Sequence, residues 1–396
     1  MEAPELTVER LGDAEALESL GATWDSLLNQ SETRVAEMSH PWHLAYWHHL
    51  AAGSDLFLLL VRDAGEIVAI APLKRVTVRP FGVPVRYLQL IAAEESNYQD
   101  FIIGRRHEEV LASVVRFLLA QRGEWDVLSL RHLPEDSTTA RFLLEAPMHL
   151  DGSLTCTVGG RLRCIFQEVD GTWEQYAASS PRTRSKIAAR RRKLEKVGPL
   201  TWFHCSSAEE YEKALVRFVD LHRRRWRDTA TPSQFDDDNY FRFYLEAGRR
   251  LLPRKQIDLF MLEVGARPVS ALLTLHYDGR WVQQLTAYDP DSRYAQASPS
   301  LVMHEIFVKE LFGQRGCVFD FGHYYPYKEA WASEYKNTVD IKVHHGGLIA
   351  RYDQLSATLS EALRDRVRQH HGLLQAARHL RRLLRARARD REETEA

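Results

Sequence analysis

The chain has 396 residues, with 53 lysines and arginines against 54 aspartates and glutamates, a formal net charge of −1. With 44% hydrophobic and 27% charged residues, it is too apolar for a disordered chain and lacks the overall basic excess of a dedicated DNA binder. The longest aliphatic-aromatic run, Leu56–Val61, is far short of the ~20 residues a membrane span needs. The N-terminus MEAPELTVER has no apolar signal core, and none of the four cysteines (Cys156, Cys164, Cys205, Cys317) forms a C-x-x-C pair. These features predict a reduced, cytoplasmic protein of about two domains. The 17 histidines show no H-E-x-x-H or other firm ligand spacing, so no metal is expected. Neither a G-x-S-x-G elbow nor a G-x-x-x-x-G-K-[ST] loop occurs, against serine hydrolase and P-loop chemistry.

In chain order, apolar periodicity predicts helices over Leu17–Leu28 and Pro41–Ala51, then a hairpin from Asp55 to Leu73 turning at Asp63-Ala-Gly65. A strand at Val85–Ile91, a helix at Glu108–Ala120 stopped by Gln121-Arg-Gly123, and a strand at Asp126–Leu130 follow. Asp151–Gly160, rich in Gly, Ser and Thr, reads as a seam. Beyond it come helices at Arg182–Val197, Ala208–Arg227 and Asp238–Arg250. The first pattern then returns. A hairpin from Asp258 to Leu275 turns at Gly265-Ala-Arg-Pro268, and a strand spans Arg280–Ala287. A helix at Ser300–Phe312 is stopped by Gln314-Arg-Gly316, and a strand covers Val318–Phe321. Matching order at a nearly constant offset identifies a tandem duplication. The division is residues 1–155, residues 160–353 and a basic helical tail at 354–396. In the tail, Glu361–Arg391 has ten arginines and three acids. That is the pattern of a helix packed on its own domain or laid on an anionic membrane surface at the inner face.

Several residues carry chemical interest on their own. Asp320, His323, Tyr324, Tyr325, Tyr327 and Lys328 crowd a strand end and its loop. Direct acyl transfer needs a base, a donor for the carbonyl oxygen and a proton for the leaving group. His323 titrates in the range of a base, Asp320 is either that base or orients the acceptor, and Tyr327 suits the returning proton. The alternative reading makes Asp320 a loop cap and packs the tyrosines at the seam. Ser298-Pro-Ser300 reads as a helix N-terminus, capped by Ser298, that suits an anion. Pro181–Lys196 carries eight basic residues against one acid. It reads either as a site for a phosphorylated partner, through Arg182, Arg184, Lys186 and Arg190, or as a solvated face paired with Asp236–Asp238. Trp226, within His222-Arg-Arg-Arg-Trp-Arg227, adds an aromatic to that half.

Two helices, a hairpin, then strand–helix–strand resembles a GNAT acyltransferase unit. The duplicated form resembles the CelD/BcsL-type acetyltransferase family and, more distantly, the Fem aminoacyltransferases. Tyr294-Ala-Gln-Ala-Ser-Pro-Ser300, Phe319–Trp331, the Arg-rich helix, Pro41-Trp42 and Ala71-Pro-Leu73 carry the likeness. The resemblance implies an α/β tandem of two GNAT-like units and acetyl-CoA or another acyl-CoA as co-substrate, its pyrophosphate at Gln296, Ser298 and Ser300. It further implies catalysis by Asp320, His323, Tyr327 and Lys328. The acceptor would be an amine or hydroxyl on a sugar or envelope precursor, held through its phosphate by the basic helix with Trp226 and Tyr324. The chain departs from the glycine-rich Q/R-x-x-G-x-G/A turn of such units. That departure keeps two alternatives open: a Fem-like enzyme drawing on aminoacyl-tRNA, and a non-catalytic partner in polysaccharide synthesis.

Overall fold

The computed structural model describes residues 5–149, 154–227, 229, 231–314, 316–332, 334–346, 348, 352–353, 355–356 and 358–359. The tail helix expected at Glu361–Arg391 lies outside them.

The first half runs β1 (Thr7–Leu11), α1 (Ala14–Ser19), α2 (Gly21–Leu28), α3 (His40–Leu50), β2 (Ser54–Asp63), β3 (Glu66–Val78), β4 (Val85–Leu90), β5 (Ile102–Ile103), α4 (His107–Ala120), β6 (Val127–Pro134) and α5 (Thr138–His149). The long strand β7 (Leu154–Val169) leads to α6 (Trp173–Ser179) and α7 (Pro181–Glu195). The second half then repeats the plan. It comprises β8 (Leu200–His204), α8 (Ala208–Trp226), α9 (Asp238–Leu251), β9 (Ile257–Val264), β10 (Arg267–Tyr277), β11 (Arg280–Tyr288), α10 (Ser292–Ala295), α11 (Pro299–Leu311), β12 (Cys317–His323) and β13 (Glu334–His345).

Both hairpins turn through two residues of positive φ, Ala64-Gly65 and Gly265-Ala266, the twist that two-residue connections require. The helix expected at Leu17–Leu28 is instead two. Asp13 caps α1 by accepting from the Ala16 N–H at 2.7 Å, and the chain restarts at Gly21, a weak helix former.

All strands join one sheet, ordered β1-β2-β3-β4-β6-β13-β7-β12-β11-β10-β9-β8, with β5 on β3. The centre of that order is an exchange. β7, which follows the first half, pairs with β12 of the second; β13, which ends the second half, pairs with β6 of the first. β7 and β13 pair with each other from Leu154–His345 to Phe166–Glu334. Val339, Ile341 and Val343 of β13 accordingly sit in the first half's core with α4 and α5, each full burial contributing about 1.5–3 kcal/mol. The stretch read as a seam is therefore mostly strand, with Leu154–Gly160 opening β7.

A second core lies between α7, α11 and the β9–β12 sheet. A third joins the halves where α3 meets α9, with Trp42 against Phe243 at 4.7 Å and Tyr244 at 5.9 Å.

Candidate active site

In each half one parallel ladder runs for three residue pairs and then stops. In the second half the pairs are Arg280–Val318, Trp281–Phe319 and Val282–Asp320; in the first they are Tyr87–Val127, Leu88–Leu128 and Gln89–Ser129. Beyond Val282 and Asp320 the strands part around a cavity of about 680 Å³, within the range of small-molecule sites. Gln283 to Thr286 and Tyr288 of β11 form one wall, and Phe321, His323, Tyr325, Tyr327 and Lys328 the other. Ser298–Leu301 at the start of α11 close one end, and His222, Arg225 and Trp226 from α8 flank it. Ala295, His304 and, from the first half, Asn97 complete the lining.

Of the residues singled out from sequence, His323, Tyr325, Tyr327, Lys328, Ser298, Ser300 and Trp226 meet in this cavity. His323 Nε2 is buried without a hydrogen-bond partner. Burial, reinforced by His132, Lys328 and Arg131, pushes its pKa down to about 4, so it is neutral at pH 7 and holds a free ring nitrogen. Lys328 is 4% exposed. Its Nζ donates to the carbonyls of Phe321 and, at 2.6 Å, His323, and burial pushes its pKa down to about 8. Tyr327 is 44% exposed at the mouth and stacked with Tyr325.

Asp320 does not line the cavity. It is fully buried because it alternates with Phe319 and Phe321, which face the core. Its Oδ2 accepts from Tyr98 at 2.6 Å and Arg280 at 2.7 Å, and its Oδ1 from the Gly322 N–H at 2.7 Å. That carboxylate is a fastening between the halves, with its oxygens occupied. Tyr324 also lies outside the lining, its hydroxyl donating to Glu329 at 2.7 Å.

Ser298 does not cap α11. It takes a left-handed conformation (φ 48°) with no side-chain cap bond, and its Oγ accepts from Arg190 instead. The anion-binding character of this end rests on the first-turn N–H groups and Arg190. Gln296 is exposed beside α10 and outside the lining.

Along α7, Arg182 and Lys186 are exposed. Arg184 points inward and is 9% exposed. Its guanidinium lies over Trp331 (4.4 Å), Tyr176 (4.7 Å) and Trp173 (5.6 Å) and donates to the Ala330 carbonyl at 3.0 Å. It therefore braces the loop bearing Lys328 and is out of reach of a substrate phosphate. The pairing of α7 with Asp236–Asp238 is not observed; Asp238 pairs with Arg223 at 3.1 Å.

All four cysteines are free. Burial raises the thiol pKa of Cys156 to about 11 and that of Cys205 to about 12, so neither is an activated nucleophile. Among the described residues no group of three or more His, Cys, Asp or Glu could hold a metal ion, and no helix is long and apolar enough to cross a membrane.

Residues 181–336 match the family model described as an acetyltransferase (GNAT) domain. Among solved structures, the crystal structure of FemX is 12% identical, covering 85% of this chain and 98% of its own, with a TM-score of 0.61. A conserved protein of unknown function from Bacteroides thetaiotaomicron is 10% identical over 85% of this chain and 100% of its own, at 0.53. The C-terminal domain of an Agrobacterium fabrum protein described as a lysylphosphatidylglycerol synthetase is 11% identical over 88% and 97%, at 0.52. At these identities the likeness is one of fold: a mixed α/β architecture of paired GNAT-like units. No curated protein is significantly similar in sequence.

Proposed function

We propose that this chain transfers an acyl group from an acyl-CoA to an amine or hydroxyl of a sugar or envelope precursor, in the cavity of its second half. The observation that carries the reading is the parting of β11 from β12 at a cavity lined by Lys328, His323 and the α11 N-terminus. A parted strand leaves backbone groups for an extended donor arm to pair with. The α11 first turn, Arg190 and Arg225 suit the donor's phosphates. The buried Lys328 ammonium favours the negative charge that develops on the thioester oxygen. The nucleophile attacks the carbonyl carbon, the carbon–sulfur bond breaks, and the thiolate leaves. His323 Nε2 accepts the nucleophile's proton, and the Tyr327 hydroxyl supplies one to the thiolate.

Calorimetric titration with acetyl-CoA and with free CoA tests this. Micromolar binding that weakens at least tenfold in Ser300→Glu supports it, because a carboxylate at that end repels the donor's phosphates. No binding at millimolar ligand overturns it.

One observation favours a second reading. Arg182, Lys186, Arg192 and Lys193 of α7 form no ion pair among the described residues, leaving a basic face suited to a long polyanion. An aminoacyl-tRNA donor would give a steep fall of affinity with salt, whereas a small CoA ester gives a shallow one.

A further inference from the structure

Asn97 belongs to the first half yet lines the second half's cavity, and its amide is held by two partners. Its backbone N–H and its Nδ2 both donate to Glu37 Oε1, at 2.7 Å and 2.9 Å. The other Nδ2 hydrogen is directed at Gln284 Oε1 at 3.4 Å. Gln284 is itself oriented, because its Nε2 donates to the Glu95 carbonyl at 2.5 Å. With both Nδ2 hydrogens committed, the carbonyl end of Asn97 is fixed as the free end. Oδ1 accepts no hydrogen bond among the described residues. It stands over Gly322, where a Cβ would approach it to 2.5 Å, next in sequence to His323.

Glu37 is suited to this task because its burial favours the neutral form. It is fully buried, and burial raises its carboxyl pKa to about 8. A neutral carboxyl accepts both Asn97 donors without bringing a full negative charge beside Asp320.

We infer that Asn97 Oδ1 receives one N–H of an attacking amine, leaving its second hydrogen for His323 Nε2. The first half thereby supplies the group that aims the nucleophile at the thioester, and Glu37 acts as a positioning residue behind it. The inference rests on the acyl-transfer reading above. The acceptor class follows from the geometry. An unpaired amide oxygen, with no carboxylate among the cavity-lining residues, suits a neutral amine better than an ammonium, and a hydroxyl has only one proton to divide between Asn97 and His323.

The test uses the full chain with acetyl-CoA and hydroxylamine, a small amine largely neutral at pH 7, and reads acetohydroxamate formation alongside acetyl-CoA affinity. Asn97→Ala should lower kcat/KM for hydroxylamine roughly 10- to 100-fold while acetyl-CoA binds as in the parent chain. Glu37→Leu should reproduce the loss, and Glu37→Gln, which keeps the accepting oxygen, should restore transfer. If Asn97→Ala transfers at the parent rate while acetyl-CoA still binds, the inference is overturned and the acyl-transfer reading stands. A parent chain that neither binds acetyl-CoA nor transfers overturns that reading and this inference with it.

Discussion

His132 and His323 face each other across the junction of the halves, their ring centroids 5.1 Å apart and their planes 75° to one another. Counted from the parallel ladders, they stand at corresponding positions in the two repeats. Ser129 and Asp320 each end a three-pair parallel ladder, and each histidine lies three residues further on. A register break follows in both strands, enclosing His132 between Leu130 and Leu133 and running from Asp320 to His323 in the second half. One copy is anchored, with the His132 ring nitrogen bonded to the Ser96 carbonyl at 2.6 Å. The other keeps Nε2 free. Burial lowers the pKa of both. The two repeats thus hold an anchored ring on one side and a ring with an unpaired buried nitrogen on the other.

Transfer activity should fall as pH rises through about 8, where Lys328 loses its proton. Its folded-state pKa lies below the ordinary value, so its charged form costs stability below about 8, and that cost is relieved as pH rises toward 10.5. Activity and stability should therefore move in opposite directions over this interval. Lys328→Arg, charged throughout, should remove the alkaline limb if any activity survives. A pH–rate profile flat from 7 to 10 in the parent chain would exclude the role given to the ammonium.

Asp320→Asn should destabilise the protein by about 3–5 kcal/mol, because Arg280 and Tyr98 lose the carboxylate they share. Acetyl-CoA affinity should stay within a few-fold of the parent value in whatever fraction folds. Thermal melts and calorimetry on the same preparation separate the two effects. Unchanged melting with lost turnover would make Asp320 a chemical participant after all.

Glu37 gives a stability signature of the opposite sign to a salt-bridged acid. Its folded-state pKa is raised from 4.5 to about 8, so between those values the native state holds a proton that the unfolded state has released. Stability from this group then declines as pH rises from 4.5 to 8. Glu37→Gln should match the parent chain's Tm near pH 4.5 and exceed it increasingly up to pH 8. Parallel melting curves at both pH values would show that Glu37 is ionised in the native state.

Arg184→Ala should cost about 2–4 kcal/mol, from a hydrogen bond to the Ala330 carbonyl and lost packing on three rings. Because the same guanidinium steadies the Pro326–Ala330 turn, kcat should fall more than acetyl-CoA affinity. Arg184→Lys would not recover the turn, lacking the planar fork. Full recovery by lysine would reduce the interaction to charge alone.

Much of the fold is written in local patterns. The two hairpins, the α4 and α11 helices and the repeat that relates them follow from apolar period and turn residues, each satisfied within a few dozen positions. The β7–β13 exchange is not local. Thr155–Gly160 holds two glycines and little apolar content, and its strand character comes from a partner near residue 340. The cavity-facing role of His323, Tyr327 and Lys328 was legible because chemistry-bearing residues cluster at a strand end. Asp320 belongs to the same cluster, but its flanking phenylalanines fix it on the opposite face. Asn97 and Glu37 give no sequence signal. Each is an isolated polar residue, and only the packing of the first half against Gly322 brings them to the site.

The exchanged strands also set an order of events on the ribosome. Pro134 of β6 must wait for Thr338 of β13, about 200 residues later, before that edge of the first repeat is covered. At roughly 5–20 residues per second, the nascent chain carries an open, apolar sheet edge for about 10–40 s. A chain stalled or cut between the repeats would keep that edge, with self-association as its ready escape. The same exchange that fastens two acyltransferase-like units into one sheet makes the nascent first unit dependent on protection until the last strand arrives.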